Sequence, residues 1–255
     1  MADPTADGIA LETQALSRQF GGLAAVQDVS LAIERGRVHA IVGPNGAGKT
    51  TLINLLSGDL RPSAGSVRYE GRDITGWPAH RIAHLGIGRS YQKTNIFRDF
   101  TTFENCRLAA QSRLPRIGLF RAADGYRQVT ERAEHALGLC GLEGRRDTRA
   151  ASMSYGEQRQ LELAMMLATE PQLLLLDEPL AGMGPEESAR ILDLLRRLAA
   201  GHTMVMIEHD MDAVFAIADR ITVMVNGSVL ASGTPAAIRA NKAVQDAYLG
   251  EDVPA

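Results

Sequence analysis

Residues 38–58 read VHAIVGPNGAGKTTLINLLSG. Val38 to Val42 is a short apolar run, mostly β-branched, and predicts a buried strand. Gly43-Pro44-Asn45-Gly46-Ala47-Gly48 breaks it with three glycines in six residues. Lys49-Thr50-Thr51 follows, and Leu52, Ile53, Leu55 and Leu56 mark a helix that Gly58 is placed to stop. Strand, glycine loop and helix is the context that a G-x-x-x-x-G-K-[ST] spacing requires. Its chemistry is that of a polyphosphate cradle. Backbone N–H groups surround a crowded anion where no Cβ blocks them, which accounts for Gly43, Gly46 and Gly48. The helix N-terminus at Gly48–Thr50 adds unpaired N–H groups and a partial positive charge. Lys49 supplies a full charge for the β- and γ-phosphates, and the Thr50 hydroxyl is an expected Mg²⁺ ligand.

Outward from that stretch, 255 residues predict one large domain or a domain with subdomains, able to bury roughly 75% of the surface its unfolded chain exposes. The composition is that of an ordinary globular protein, 45% hydrophobic and 22% charged. A net charge of −3 argues against nucleic acid as a main partner. Cys106 and Cys140 fit no metal spacing and no disulfide framework, so a reducing compartment is expected. The polar start, MADPTADG, lacks a basic-then-apolar signal pattern. The apolar runs fall far short of the ~20 residues that span a bilayer. The chain is therefore expected to be soluble by itself, which leaves docking onto a membrane protein open.

In chain order, residues 1–7 read as a loose tail. Strands are predicted at Ile9–Leu16 and Ala24–Ile33, with Phe20-Gly21-Gly22 as a turn carrying an aromatic, and at Ser66–Tyr69. These short pieces suggest an antiparallel layer beside the main sheet. Pro78 opens a short helix, Ile87–Tyr91 is extended, and a helix runs from Thr101-Thr102 to Ala110. Residues 111–123 read as a surface loop, and Tyr126–Leu139 as a helix facing inward with Val129, Ala133, Ala136 and Leu137. Ser154 with Glu157 is a capping-box pattern opening a strong helix. Leu173–Leu176 is a buried strand ending in Asp177-Glu178. Pro185 starts a helix whose core face is Ile191, Leu192, Leu194, Leu195 and Leu198. Thr203–Ile207 is a strand ending at Glu208-His209, and Met211–Ala218 a helix. Asn226-Gly227 is a hairpin turn, and Thr234-Pro235 caps a final helix pair. Strands alternating with helices imply a mostly parallel sheet covered on both faces, with ligands at the carboxyl ends of the strands. Gly43, Asp177 and His209 all follow such ends, so one edge is expected to collect them.

With these motifs in order, the chain resembles the ATP-binding cassette (ABC) ATPases along nearly its whole length. GPNGAGKTT matches their Walker A loop, and LLLLDEP their Walker B strand with its glutamate. MSYGE stands where the signature LSGGQ belongs, and Gln92 and His209 fall at the Q-loop and H-loop. Within the family it looks most like the ATPases of Liv-type branched-chain amino acid importers. The features are the glycine pair after Phe20, the loop at 111–123, IEHDM at 207–211 and AYLGE near the C-terminus. The resemblance implies a P-loop NTPase (RecA-like) fold of the α/β class, with an antiparallel β subdomain and an α-helical signature subdomain. A single cassette over 7–251 would divide into a core of 7–92 and 166–233, a helical part at 93–165 and C-terminal helices at 234–251.

The resemblance also carries roles. Residues 43–51 would bind ATP, and Phe20 would stack on its adenine. Asp177, Thr50 and Gln92 would serve Mg²⁺. Glu178 would polarise the attacking water, Gln92 would sense the γ-phosphate and touch the membrane partner, and His209 would contact the γ-phosphate. Ser154, Tyr155, Gly156 and Glu157 would face a nucleotide held by another subunit. Plainer readings stand beside these: Phe20 as core, Gln92 as a polar strand end, Asp177–Glu178 as a capping pair, Ser154 as an N-cap and His209 as structural.

The sequence departs from LSGGQ at Met153, Tyr155 and Glu157, and Leu180-Ala181-Gly182-Met183-Gly184 lacks the usual D-loop aspartate. A carboxylate aimed at a phosphate ~4 Å away is unfavourable by ~1 kcal/mol per charge pair in water, so Glu157 is expected to turn back onto the Ser154 N–H. One phosphate loop and one signature per chain imply a second ATPase subunit, identical or paralogous. They also imply transmembrane permease subunits, indirectly a solute-binding protein, and a place on the inner face of the cell membrane. The rivals are import of urea or amides, lipid or lipopolysaccharide export, a non-transport ATP-dependent switch, and a P-loop small-molecule kinase.

Overall fold

The computed structural model describes residues 8–92, 94–113 and 127–246. β1 (Ile9–Phe20) and β2 (Leu23–Glu34) form a long antiparallel pair, and β3 (Val38–Val42) runs into the glycine loop and α1 (Lys49–Leu56). β4 (Ala64–Tyr69), β5 (Arg72–Asp73), α2 (Ala79–His84) and β6 (Ile87–Arg89) follow. Three helices come next: α3 (Thr102–Gln111), α4 (Arg127–Leu139) and α5 (Tyr155–Leu167). The chain then alternates through β7 (Leu173–Asp177), α6 (Pro185–Ala199), β8 (Thr203–Ile207), α7 (Met211–Ile217) and β9 (Arg220–Val225). β10 (Ser228–Gly233), α8 (Pro235–Arg239) and α9 (Lys242–Val244) complete it. The tail at 1–7, most of the 111–123 loop, Tyr126 and the AYLGE segment lie outside the described residues.

Six strands form the main sheet in the order β10-β9-β3-β8-β7-β6, parallel throughout except for the β9–β10 hairpin. A second sheet, β2-β1-β4-β5, is antiparallel. The side-chain period of a strand sorts the core into two. Leu173, Leu175, Val205 and Ile207 point toward α1 and the antiparallel sheet. Leu174, Leu176, Met204 and Met206 point toward α3 to α7. Both faces are covered, which is why β3, β7 and β8 read as unbroken apolar runs.

Most helix ends follow from local chemistry. Thr101 and Ser154 each close a capping box, with Glu104 and Glu157 respectively, and Pro185 takes the first helical position of α6. Several boundaries differ from the sequence reading by one or two residues, β4 starting at Ala64 rather than Ser66, and β1 differs by four. β1 continues to Phe20, which pairs with Leu23 and leaves Gly21-Gly22 alone as the turn. Ala15 (φ 44°) and Asp28 (φ 48°) sit at irregularities that shift the β1–β2 register and hide the alternation. β6 stops at Arg89, two residues short of the predicted end.

Candidate functional site

The carboxyl ends of the parallel strands β3, β7 and β8 fall on one edge of the sheet, and the three strand-end residues expected there arrive together. Gly46 has φ 81° and open space around it, so within the chain it serves the backbone conformation. Gly43 and Gly48 serve a further purpose. A Cβ on Gly43 would lie 2.1 Å from the Met224 carbonyl oxygen, and one on Gly48 2.2 Å from that of Ala25. These glycines let the loop pack onto β9 and β2, its own scaffold. The β9–β10 hairpin supports it too, because Gly227 donates to the Ala47 carbonyl at 3.1 Å. Asn226 (φ 48°) and Gly227 (φ 81°) give that hairpin the two left-handed residues of a type I′ turn.

Lys49 is 7% exposed, and its ammonium donates to the carbonyls of Gly43 (2.6 Å) and Pro44 (3.1 Å). Burial lowers its pKa, while Glu178 and Asp177 pull it up. The charge thus waits against neutral carbonyls that a phosphate would outcompete. Pro44 is half-buried, Asn45 and Thr50 are exposed, and Thr51, the third residue of α1, is half-buried.

Asp177, the last residue of β7, is 2% exposed. Burial pushes its carboxyl above the usual range, against the pull of Arg89, whose Nη2 stands 3.8 Å from Oδ2. Asp177 Oδ1 is buried and has no hydrogen-bond partner among the described residues. An orphaned carboxylate oxygen at the end of a parallel strand fits a hard cation. Glu178 follows in a left-handed conformation (φ 49°), which costs a non-glycine residue about 1–2 kcal/mol. Its N–H donates to the Ile207 carbonyl at 3.0 Å. Gln92 Nε2 donates to Glu178 Oε2 at 3.0 Å, so the residues that follow β6 and β7 meet directly. His209 is exposed, with Nδ1 3.8 Å from Glu208 Oε2. The plainer readings of Phe20 and His209 as buried structural residues do not fit. The Phe20 ring is 43% exposed, with the Arg18 guanidinium 4.7 Å from its centroid.

At the start of α5, Glu157 turns back as expected, accepting the Ser154 N–H at 2.9 Å while Ser154 Oγ accepts the Glu157 N–H at 3.2 Å. Its other oxygen lies 3.0 Å from Arg145 Nη2, which offsets the charge a phosphate would meet. Tyr155 leans away from the helix end, its hydroxyl 3.4 Å from the Ala181 carbonyl and its ring against Gly182. Gly156 is tight against Glu187 of α6. Ser154→Ala is expected to cost about 1 kcal/mol in a urea melt, the ordinary value of an N-cap. A loss of ATPase activity beyond that would show the hydroxyl acting outside its own helix.

The sequence reading gave no role to Glu208, Arg159 or Glu162. Glu208 is fully buried and accepts from the Leu180 N–H at 2.9 Å, and burial raises its pKa. It thereby holds the turn that carries Glu178. The sole signal was its place next to His209. Arg159 and Glu162, both on α5, are 3% and 6% exposed. No helical period announced them.

Comparison with known proteins agrees with this geometry. Residues 26–181 match the family model described as ABC transporter, and residues 228–254 the one described as branched-chain amino acid ATP-binding cassette transporter. The chain is 41% identical over 249 residues to the high-affinity branched-chain amino acid transport ATP-binding protein BraF of Pseudomonas aeruginosa, covering 94% of this chain and 98% of that one. It is 39% identical over 250 residues to LivG of Escherichia coli, with the same coverage. Among solved structures, the ADP conformation of MJ1267, an ATP-binding cassette of an ABC transporter, superposes with a TM-score of 0.84 at 30% identity, covering 95% of this chain and 99% of that one.

Proposed function

The chain belongs to the ABC transporter family as one of its ATP-hydrolysing cassettes, and from that premise we propose that it powers a membrane importer of branched-chain or related amino acids. The observation that carries the choice of solute is the match of residues 228–254 to the branched-chain model, since that stretch lies outside the general cassette. No described helix is long and apolar enough to cross a membrane. In this reading the chain works from the inner face of the membrane, against permease subunits.

The arrangement at the sheet edge supports a positioning mechanism. Residues 43–51 hold the triphosphate, with Lys49 released from its carbonyls to the β- and γ-phosphates. Thr50, Asp177 and Gln92 would hold Mg²⁺, which would supply neutralisation of the developing phosphate charge. Glu178, turned outward at the strand end and steadied by Gln92, polarises water for attack on the γ-phosphorus and takes its proton. The bond from the γ-phosphorus to the β,γ-bridging oxygen breaks and ADP departs, while His209 stands beside the transferred γ-phosphoryl group and Phe20 offers its free ring face to adenine.

The exposed capping box at Ser154–Glu157 faces a second cassette's nucleotide, so the working unit is a dimer. Beside Gln92, a cavity of about 310 Å³ is lined by Ile82, Ala83, Ile87, Tyr91 and Met166 among others. It gives a permease helix a place to press on the Gln92 segment. Purification of the tagged chain from gently solubilised host membranes tests the reading. Two permease subunits, with a second cassette where the dimer is heteromeric, are expected. Recovery of lipid-export components, ribosomes or repair proteins would refute it.

A further inference from the structure

Arg159 lies one turn inside α5, and its guanidinium reaches two separate loops as well as Glu162 of its own helix. Nη1 donates to the Tyr91 carbonyl at 2.7 Å and to Glu162 Oε2 at 2.8 Å. Nη2 donates to the carbonyls of Gln92 at 3.0 Å and Glu178 at 3.3 Å. Glu162 returns to the same place, accepting the Tyr91 N–H at 3.1 Å. One buried cation therefore holds the backbones of Gln92 and Glu178, whose side chains meet at the catalytic edge. It does so from the helix that Ser154 caps.

We propose that Arg159 is a positioning residue that couples the chain's own γ-phosphate site to the signature end of α5. Occupancy of one nucleotide site thereby sets the pose of the helix end presented to the other. The proposal rests on the reading that Ser154–Glu157 face a partner's nucleotide. Stability does not explain the pair, because an apolar pair of similar volume packs as well or better in a buried position. What an apolar pair cannot do is gather three main-chain carbonyls from two loops. A planar fork spans acceptors on both sides, whereas the point charge of lysine does not. A shift of the Gln92 segment toward a γ-phosphate pulls on Arg159, and α5 follows as a rigid element. By reciprocity, contact at the helix end biases Gln92 and Glu178 with the same coupling free energy.

Amide hydrogen exchange on the full chain tests this. The chain carries Glu178→Gln so that ATP persists, and is kept dilute enough to remain monomeric. Mg²⁺ and ATP are expected to protect residues 43–51 and to change exchange in 153–160 by about fivefold or more. Adding Arg159→Lys should leave the protection at 43–51 and abolish the response at 153–160. The apolar pair Arg159→Met with Glu162→Leu should do the same in a chain whose packing is kept. Glu162→Gln, which keeps one acceptor oxygen and leaves the three carbonyl contacts of Arg159 in place, should retain the response. A response that persists in both Arg159 variants, or is absent from the parent, overturns the proposal. Failure to protect 43–51 in the parent overturns the nucleotide-site reading and the coupling with it.

Discussion

Glu178→Gln is expected to lower steady-state phosphate release by about 10²–10⁴-fold, the range that a positioned general base contributes. That corresponds to about 3–5 kcal/mol of barrier. Affinity for a fluorescent ATP analogue should stay within a few-fold of the parent. The reason lies in what the substitution spares. Glutamine keeps an oxygen to accept from Gln92 Nε2, the contact seen at 3.0 Å. It also keeps the backbone bond from residue 178 to the Ile207 carbonyl. What goes is the capacity to take a proton. The left-handed backbone at Glu178 strengthens the assignment, because strain in a non-glycine residue persists only where its surroundings impose it. Turnover within tenfold of the parent would mean that another group accepts the proton.

Gly43→Ala is expected to abolish nucleotide binding and to lower stability more than Gly46→Ala does. The new methyl at residue 43 would overlap the Met224 carbonyl at 2.1 Å, a backbone atom that can move only if β9 moves. At residue 46 nothing lies within 4 Å, so alanine there meets only the left-handed penalty of about 1–2 kcal/mol. Urea melts of the two variants, with nucleotide titrations on each, separate the effects. Equal melts would show that Gly43 is dispensable for the loop's seat on β9. The contrast matters because three glycines that look equivalent in the sequence do two different jobs.

That contrast marks where the sequence stops being legible. The sheet was readable because β3, β7 and β8 are buried on both faces and so are apolar without a break. Helix starts were readable because Thr101, Ser154 and Pro185 act on atoms within one turn. The strand-end residues followed from topology, since a parallel sheet brings its carboxyl ends to one edge. The full length of β1 was not readable, because the bulges at Ala15 and Asp28 break the period of two. Arg159 and Glu162 were opaque for another reason. Their backbone partners lie 67 to 71 positions away at Tyr91 and Gln92 and 19 away at Glu178, and a charged residue on a helix looks the same whether it meets water or a buried carbonyl. Of the contacts on Arg159, those to Tyr91 and Gln92 span 68 and 67 positions.

The β9–β10 hairpin has a bearing on how the chain could be rearranged. A tight two-residue tip between adjacent strands is ordinarily among the safest places to open a protein for circular permutation or to graft a foreign sequence. Here the tip is a strut. Gly227 donates to the Ala47 carbonyl, and its own carbonyl accepts from Gln27 at 2.8 Å. Cutting or lengthening the turn at 226–227 removes a prop from the phosphate loop about 180 positions earlier in the chain. The turn at Glu70–Gly71, with open space around Gly71, is tied to Ala10 and Arg35 but not to the phosphate loop, and is the better junction.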